Sequence, residues 1–180
     1  LAVKLGNRRS EAIARNIAGY VLSYAAQYEA AHAEAERGIA LARALGSHRF
    51  EAKSLLNLGL ALFGLTERAA AEQALDEAYA IGEQSRIELW TPWVLGAIAL
   101  VTCRPERSQW ALAAGEALLA TGGVGHSYLH FYQLAIEAAL AERDWCAVER
   151  YADALDAYTR IEPLPWSDLF VARARVLIRR

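Results

Sequence analysis

The sequence predicts an all-α chain of about nine helices arranged as successive hairpins. Three observations carry that expectation. Small or apolar residues recur at i, i+4 and i+7, one face of a helix, in segment after segment, and no run competes as a strand. A twelve-residue stretch repeats: "AERGIALARALG", Ala35 to Gly46, matches "AEQALDEAYAIG", Ala71 to Gly82, at an offset of 36. Finally, Gly46, Gly82 and Gly122 each stand where such a segment runs out.

Each repeat reads as two helices, A then B, because an aliphatic residue and a small one recur twelve residues ahead of each B-helix alanine. The first A helix, about 10–26, holds Leu22-Ser23, and its B helix, about 28–45, closes at Gly46. The second A helix, about 48–63, holds Leu58-Gly59; its B helix, about 67–82, opens at Thr66-Glu67 and closes at Gly82. Third comes an A helix at about 92–103, where Thr91-Pro92 places a capping hydroxyl before a first-turn proline, and which holds Ile98-Ala99. Its B helix, about 105–121, opens at Arg104-Pro105-Glu106 and closes at Gly122. The fourth pair runs over about 127–142, with Leu134-Ala135, and about 144–160, N-capped by Asp144. A ninth helix, about 166–180, follows "EPLPW". The resulting units of one array are about 10–46, 47–85, 86–125 and 126–162, with a partial fifth at 163–180, and the third needs four extra residues upstream.

Composition narrows the function classes. Of 180 residues, 55% are hydrophobic and 22% charged, enough to fold around a real core and too apolar for disorder. A net charge of -2 gives no general attraction to nucleic acid or anionic membrane. Cys103 and Cys146 form neither a C-x-x-C nor a disulfide framework, which favours the cytoplasm. The most apolar run, Trp90 to Cys103, is shorter than the ~20 residues of a membrane span, and no signal peptide is visible. The start at Leu1 and the lack of methionine read as an excised piece of a longer protein.

The small-residue pattern resembles the tetratricopeptide repeat (TPR). The second unit supplies Leu55, Leu58, Gly59, Leu62, Ala71, Leu75 and Ala78; the fourth supplies Phe131, Leu134, Ala135, Ala138, Ala147, Tyr151 and Ala154. In the first and third, Ser23 and Ala99 stand at the glycine position and Gly115 where a large residue belongs, and the usual proline ending helix B is absent. These looser repeats are similar to the C-terminal regions of bacterial class III adenylate cyclase-like proteins with a central ATPase, and of maltose-regulator-type transcription activators. Asp144 to Arg180 carries the first likeness. The resemblance implies a right-handed αα-superhelix with a concave groove lined by the A helices. Register transfer puts Ile17, Tyr20, Tyr24 and Gln27 there, then Lys53, Leu56, Leu60 and Phe63. The third unit adds Trp93, Gly96, Leu100 and Cys103, and the fourth Leu129, Tyr132, Ile136 and Ala139. In the same register Gly59, Ala71 and Ala78 let helices A and B approach closely, so Gly59→Leu is expected to cost ~1–3 kcal/mol.

Two stretches invite a chemical reading. "ATGGVGHS", Ala120 to Ser127, has Gly125 and Ser127 where a phosphate-binding loop has G and S/T, but Ala120 replaces its first glycine and His126 its lysine, and the preceding segment is helical. It is read as a helix-to-helix turn. His126 and His130 have i, i+4 spacing that can chelate a metal, yet Ser127 stands where a metalloprotease has glutamate, and no third ligand is close in sequence. Arg173, Arg175, Arg179 and Arg180 form a basic tail, read as a solvated face. The sequence thus predicts a non-catalytic interaction or regulatory module, without cofactor or metal, that binds a peptide, a partner helix or other domains of the same polypeptide. Its rival is a helical nucleotide- or metal-binding enzyme domain built on Gly122 to Ser127 and His126/His130.

Overall fold

The computed structural model describes residues 6–179. The described residues form nine α-helices and no strand: α1 (Arg8–Tyr24), α2 (Tyr28–Ala44), α3 (His48–Gly64), α4 (Arg68–Gln84), α5 (Thr91–Val101), α6 (Pro105–Ala120), α7 (Gly125–Glu142), α8 (Trp145–Thr159) and α9 (Pro165–Ile178). They divide into two compact units, Leu1–Trp90 and Thr91–Arg180.

The first unit keeps a strict rhythm. Helices α1 to α4 are each 17 residues long and begin 20 residues apart. Each ends in a left-handed residue, at Ala26, Gly46, Thr66 and Arg86, with φ of 55°, 60°, 65° and 50°. Only one is a glycine, although a β-carbon disfavours this conformation. The compensation is a hydrogen bond closing the last turn of each helix: Gln27, Ser47, Glu67 and Ile87 donate their backbone N–H to the carbonyls of Leu22, Ala42, Leu62 and Gly82 at 2.8–2.9 Å.

That geometry corrects two sequence assignments. Gly82 does not close α4; it is buried within the last turn of the helix, and Arg86, four residues later, takes the left-handed position. Thr66 does not cap α4 either, since its backbone is left-handed and its hydroxyl donates to the Leu65 carbonyl. Asp144, in contrast, accepts from the Ala147 N–H at 3.0 Å and caps α8 as expected, while α6 and α9 open with a proline in the first turn.

The repeat in space is 40 residues, one helical turn longer than the 36-residue offset of the sequence. In α1 and α3 the buried Ala12, Asn16 and Gly19 correspond to Ala52, Leu56 and Gly59. Gly19 approaches the carbonyl of Ala31 as Gly59 approaches that of Ala71. The first hairpin therefore does hold a glycine at the crossing, Gly19 rather than Ser23. The second unit obeys the same period: buried Ser108, Ala111, Gly115 and Leu119 of α6 correspond to Val148, Tyr151, Leu155 and Thr159 of α8.

Small residues bring the helices close, and large ones fill what remains. In the first unit Leu55, Leu56, Leu62 and Leu75 are buried among alanines. A polar link also crosses α1 and α3, where Ser54 Oγ donates to Asn16 Oδ1 at 3.0 Å and Asn57 Nδ2 to the Asn16 carbonyl at 2.8 Å. The second unit packs Leu119, Phe131, Ile136, Val148, Tyr151, Leu155 and Val171 into one core. Ion pairs tie neighbouring hairpins along each unit: Arg43–Glu77 between α2 and α4, Glu116–Arg150 between α6 and α8, both 2.6 Å, and Glu137–Arg173 between α7 and α9. No described helix is long and apolar enough to cross a membrane.

Candidate functional site

In the first unit the A-helix face gathers around Lys53. This side chain lies on α3 one turn after Arg49, and its Nζ stands 5.4 Å from the Tyr20 ring and 5.2 Å from the Trp90 ring. Arg49 lies over the other part of this cluster, 6.0 Å from the Trp90 centroid, and Tyr20 meets Tyr24 edge-on at 4.7 Å. Lys53 is only 6% exposed, and burial pushes its amine well below the usual lysine range. Burial raises the Tyr20 phenol above the usual tyrosine range, with the hydrogen bond to Tyr24 acting in the opposite direction. Leu56 is fully buried beneath, while Leu60 and Phe63 are half-buried, the latter under the Arg68 guanidinium at 5.1 Å. Ile17, Tyr24 and Gln27 are exposed.

The corresponding face of the second unit is mostly closed. Trp93, Gly96, Ile136 and Ala139 are buried, Leu100, Leu129 and Tyr132 half-buried, and Cys103 exposed. Trp93 stacks on His130 with ring centroids 3.7 Å apart and planes within 16°. His130 then meets the face or edge of Trp166 at 5.3 Å, and Trp166 meets Phe170 at 4.9 Å, so an aromatic ladder runs from α5 through α7 to α9. Sequence reasoning placed Trp93 on this face but did not connect it to His130; their rings share no periodic signal within one helix. Tyr132 sits 6.3 Å from Tyr151, whose phenol is pushed up to about 12 by burial first and by Glu116 second.

The two chemical motifs take ordinary structural places. Ala120 ends α6, Gly122 has φ of 114°, Val124 is extended, and α7 begins at Gly125. This is a turn between helices, not a strand-to-helix loop. Tyr128 secures it, donating its hydroxyl to the Leu119 carbonyl at 2.7 Å and stacking on Tyr158 at 4.5 Å. His126 is exposed and His130 buried in the tryptophan stack, their ring centroids 6.4 Å apart. Among the described residues no group of three or more His, Cys, Asp or Glu is placed to hold a metal ion.

The basic tail is balanced by acids. Arg173 pairs with Glu137, and Arg175 reaches Asp153 at 3.1 Å and Asp156 at 3.2 Å. Arg179 is exposed, and Arg180 lies outside the described residues. The fold defines the class: an all-α protein built of repeated helical hairpins. No family model matches the chain, and neither does any curated protein or solved structure.

Proposed function

We propose that the chain is a non-catalytic interaction module, receiving a peptide, a partner helix or another domain of its own polypeptide on the face of its A helices. The observation that carries this reading is the first unit's cluster of Tyr20 and Trp90 around the buried Lys53, with exposed Tyr24 edge-on to Tyr20 and half-buried Leu60 and Phe63 farther along α3. Apolar faces with an aromatic component are the ordinary receptors for helices and extended peptides. The likeness of the repeats to the C-terminal regions of bacterial cyclase/ATPase signalling proteins and maltose-regulator-type activators supports a regulatory role in such a protein, in the cytoplasm. The exposed, unpaired Cys103 and Cys146 fit a reducing compartment.

A random-peptide phage library selected on the chain tests the reading. Selected peptides are expected to lose binding to the Tyr24→Ala and Phe63→Ala variants. Binding undiminished in both, or selection yielding no binder, would sink it.

A further inference from the structure

We propose that the groove between α8 and α9 binds a small zwitterion, an α-amino acid with an aliphatic side chain. The groove encloses about 220 Å³ and is lined by Glu149, Ala152 and Asp153 of α8 and by Arg175, Ile178 and Arg179 at the end of α9. Within it the protein makes one bridge of its own, where Arg175 Nη2 donates to Asp153 Oδ1 at 3.1 Å and to Asp156 Oδ2 at 3.2 Å. Glu149 lies one helical turn before Asp153, and Arg179 one turn after Arg175. In an antiparallel hairpin those two steps lead the same way, so Glu149 and Arg179 stand on opposite walls, one rung beyond the bridge. Both are exposed, and neither joins an ion pair among the described residues.

What α9 carries here sets it apart from α7. In the 40-residue period Arg175 and Arg179 correspond to Ala135 and Ala139, which are buried in the core that Val148 and Tyr151 of α8 share. Arginines at these positions put charge where the preceding hairpin has methyl groups, and a helix laid over them would have to bury it. A small charged ligand faces no such cost. The walls also choose its sign. An anion would meet Glu149 and Asp153, and a simple cation would meet Arg175 and Arg179. A molecule with both charges fills the open rung: its carboxylate accepts from the Arg179 guanidinium while its ammonium donates to the Glu149 carboxylate. Half-buried Ile178 and buried Ala152 offer apolar surface to an aliphatic side chain. The volume falls below the ~300–1,000 Å³ of drug-sized sites and suits a single amino acid. Exposed charges hold such a ligand weakly, with a Kd of about 1 mM.

Methyl NMR at pH 7 on the isoleucine-labelled chain, with the Ile178 signal assigned through Ile178→Val, tests this. The probes are L-leucine, 4-methylpentanoate, which lacks the ammonium, and 3-methylbutylamine, which lacks the carboxylate. Leucine is expected to shift the Ile178 methyl saturably, and each one-charge analogue to bind about fivefold more weakly. Glu149→Gln should abolish the advantage of leucine over 4-methylpentanoate, and Arg179→Gln its advantage over 3-methylbutylamine, both with unchanged far-ultraviolet dichroism. No saturable shift at up to ~50 mM leucine, an analogue that binds as tightly as leucine, or an advantage that persists in either variant would overturn the proposal.

Discussion

Gly59 and Leu75 meet across the α3–α4 crossing with no room for a methyl group between them: a β-carbon on the glycine would stand 2.6 Å from Leu75 Cγ and 3.3 Å from the Ala71 carbonyl oxygen. Leu75 is fully buried and has little space to retreat. Gly59→Ala is accordingly expected to destabilise the chain by about 1–3 kcal/mol, in spite of alanine's better helix propensity. At the equivalent Gly19 a β-carbon would meet Asn57 Nδ2 at 3.4 Å and the Ala31 carbonyl at 3.7 Å, ordinary contact distances. Gly19→Ala should stabilise by about 0.5–1 kcal/mol. Urea midpoints of the two variants, moving in opposite directions, check this pair.

Lys53 gives a pH-dependent prediction. Its amine is held below the ordinary lysine value by burial, so the unfolded chain binds the proton more tightly than the folded one. Stability is then greatest above the unfolded lysine pKa and falls as pH drops from there through the folded value. Lys53→Met, which removes the titration and keeps most of the volume, should raise Tm at pH 7 by about 2–4 °C per kcal/mol gained. The gap to the parent should narrow as pH approaches 10. A gap that is constant from pH 7 to pH 10 in scanning calorimetry would contradict the assignment.

Ser167 is fully buried near the start of α9, and its hydroxyl finds no hydrogen-bond partner among the described residues. Removing an unsatisfied hydroxyl relieves a desolvation cost of about 1–3 kcal/mol. Ser167→Ala should therefore leave stability unchanged or increase it, as read by chemical denaturation, unlike the usual loss at a buried position.

The Arg15 guanidinium reaches Glu11 at 2.6 Å and Glu34 at 2.8 Å, joining α1 to α2 with about a quarter of each side chain exposed. Arg15→Met is expected to cost about 1 kcal/mol at low salt. Most of that difference should vanish in ~1 M sodium chloride, where screening acts over about 3 Å. A cost independent of salt would assign the effect to packing of the arginine stem.

How far the fold was legible follows from the helical period itself. The nine helices lie close to their expected bounds because apolar spacing, Asp144 and the prolines at 105 and 165 act locally. The register did not follow as cleanly. Offsets of 36 and 40 differ by four residues, close to one turn of 3.6, so both superpose the same helix face and the buried alanines match either way. The paired spacing of Gly19 to Ala31 and Gly59 to Ala71 separates the two, and it is present in the sequence. Arg86 was illegible for a different reason: nothing in its side chain announces a left-handed backbone, which is imposed by the bond from Ile87 to the Gly82 carbonyl.

The candidate face was legible in its members more than in their exposure. Tyr20, Tyr24 and Lys53 do come together in the first unit, since residues on adjacent A helices meet when the hairpins stack. Trp93, Leu56 and Ile136 are core instead of open surface. Burial at these positions is decided by neighbouring helices, which periodicity within a single helix does not encode.

The even spacing of α1 to α4 has a kinetic consequence. Within the first unit each helix packs on the next, and the farthest pairings, α1 with α3 and the Arg43–Glu77 ion pair from α2 to α4, skip one helix. Chain closure thus costs little entropy at any step, because no contact waits for a distant segment to return. Folding can begin at whichever hairpin forms first and spread outward, in microseconds to milliseconds, with destabilisation of one hairpin redirecting the order of assembly while the destination stays the same.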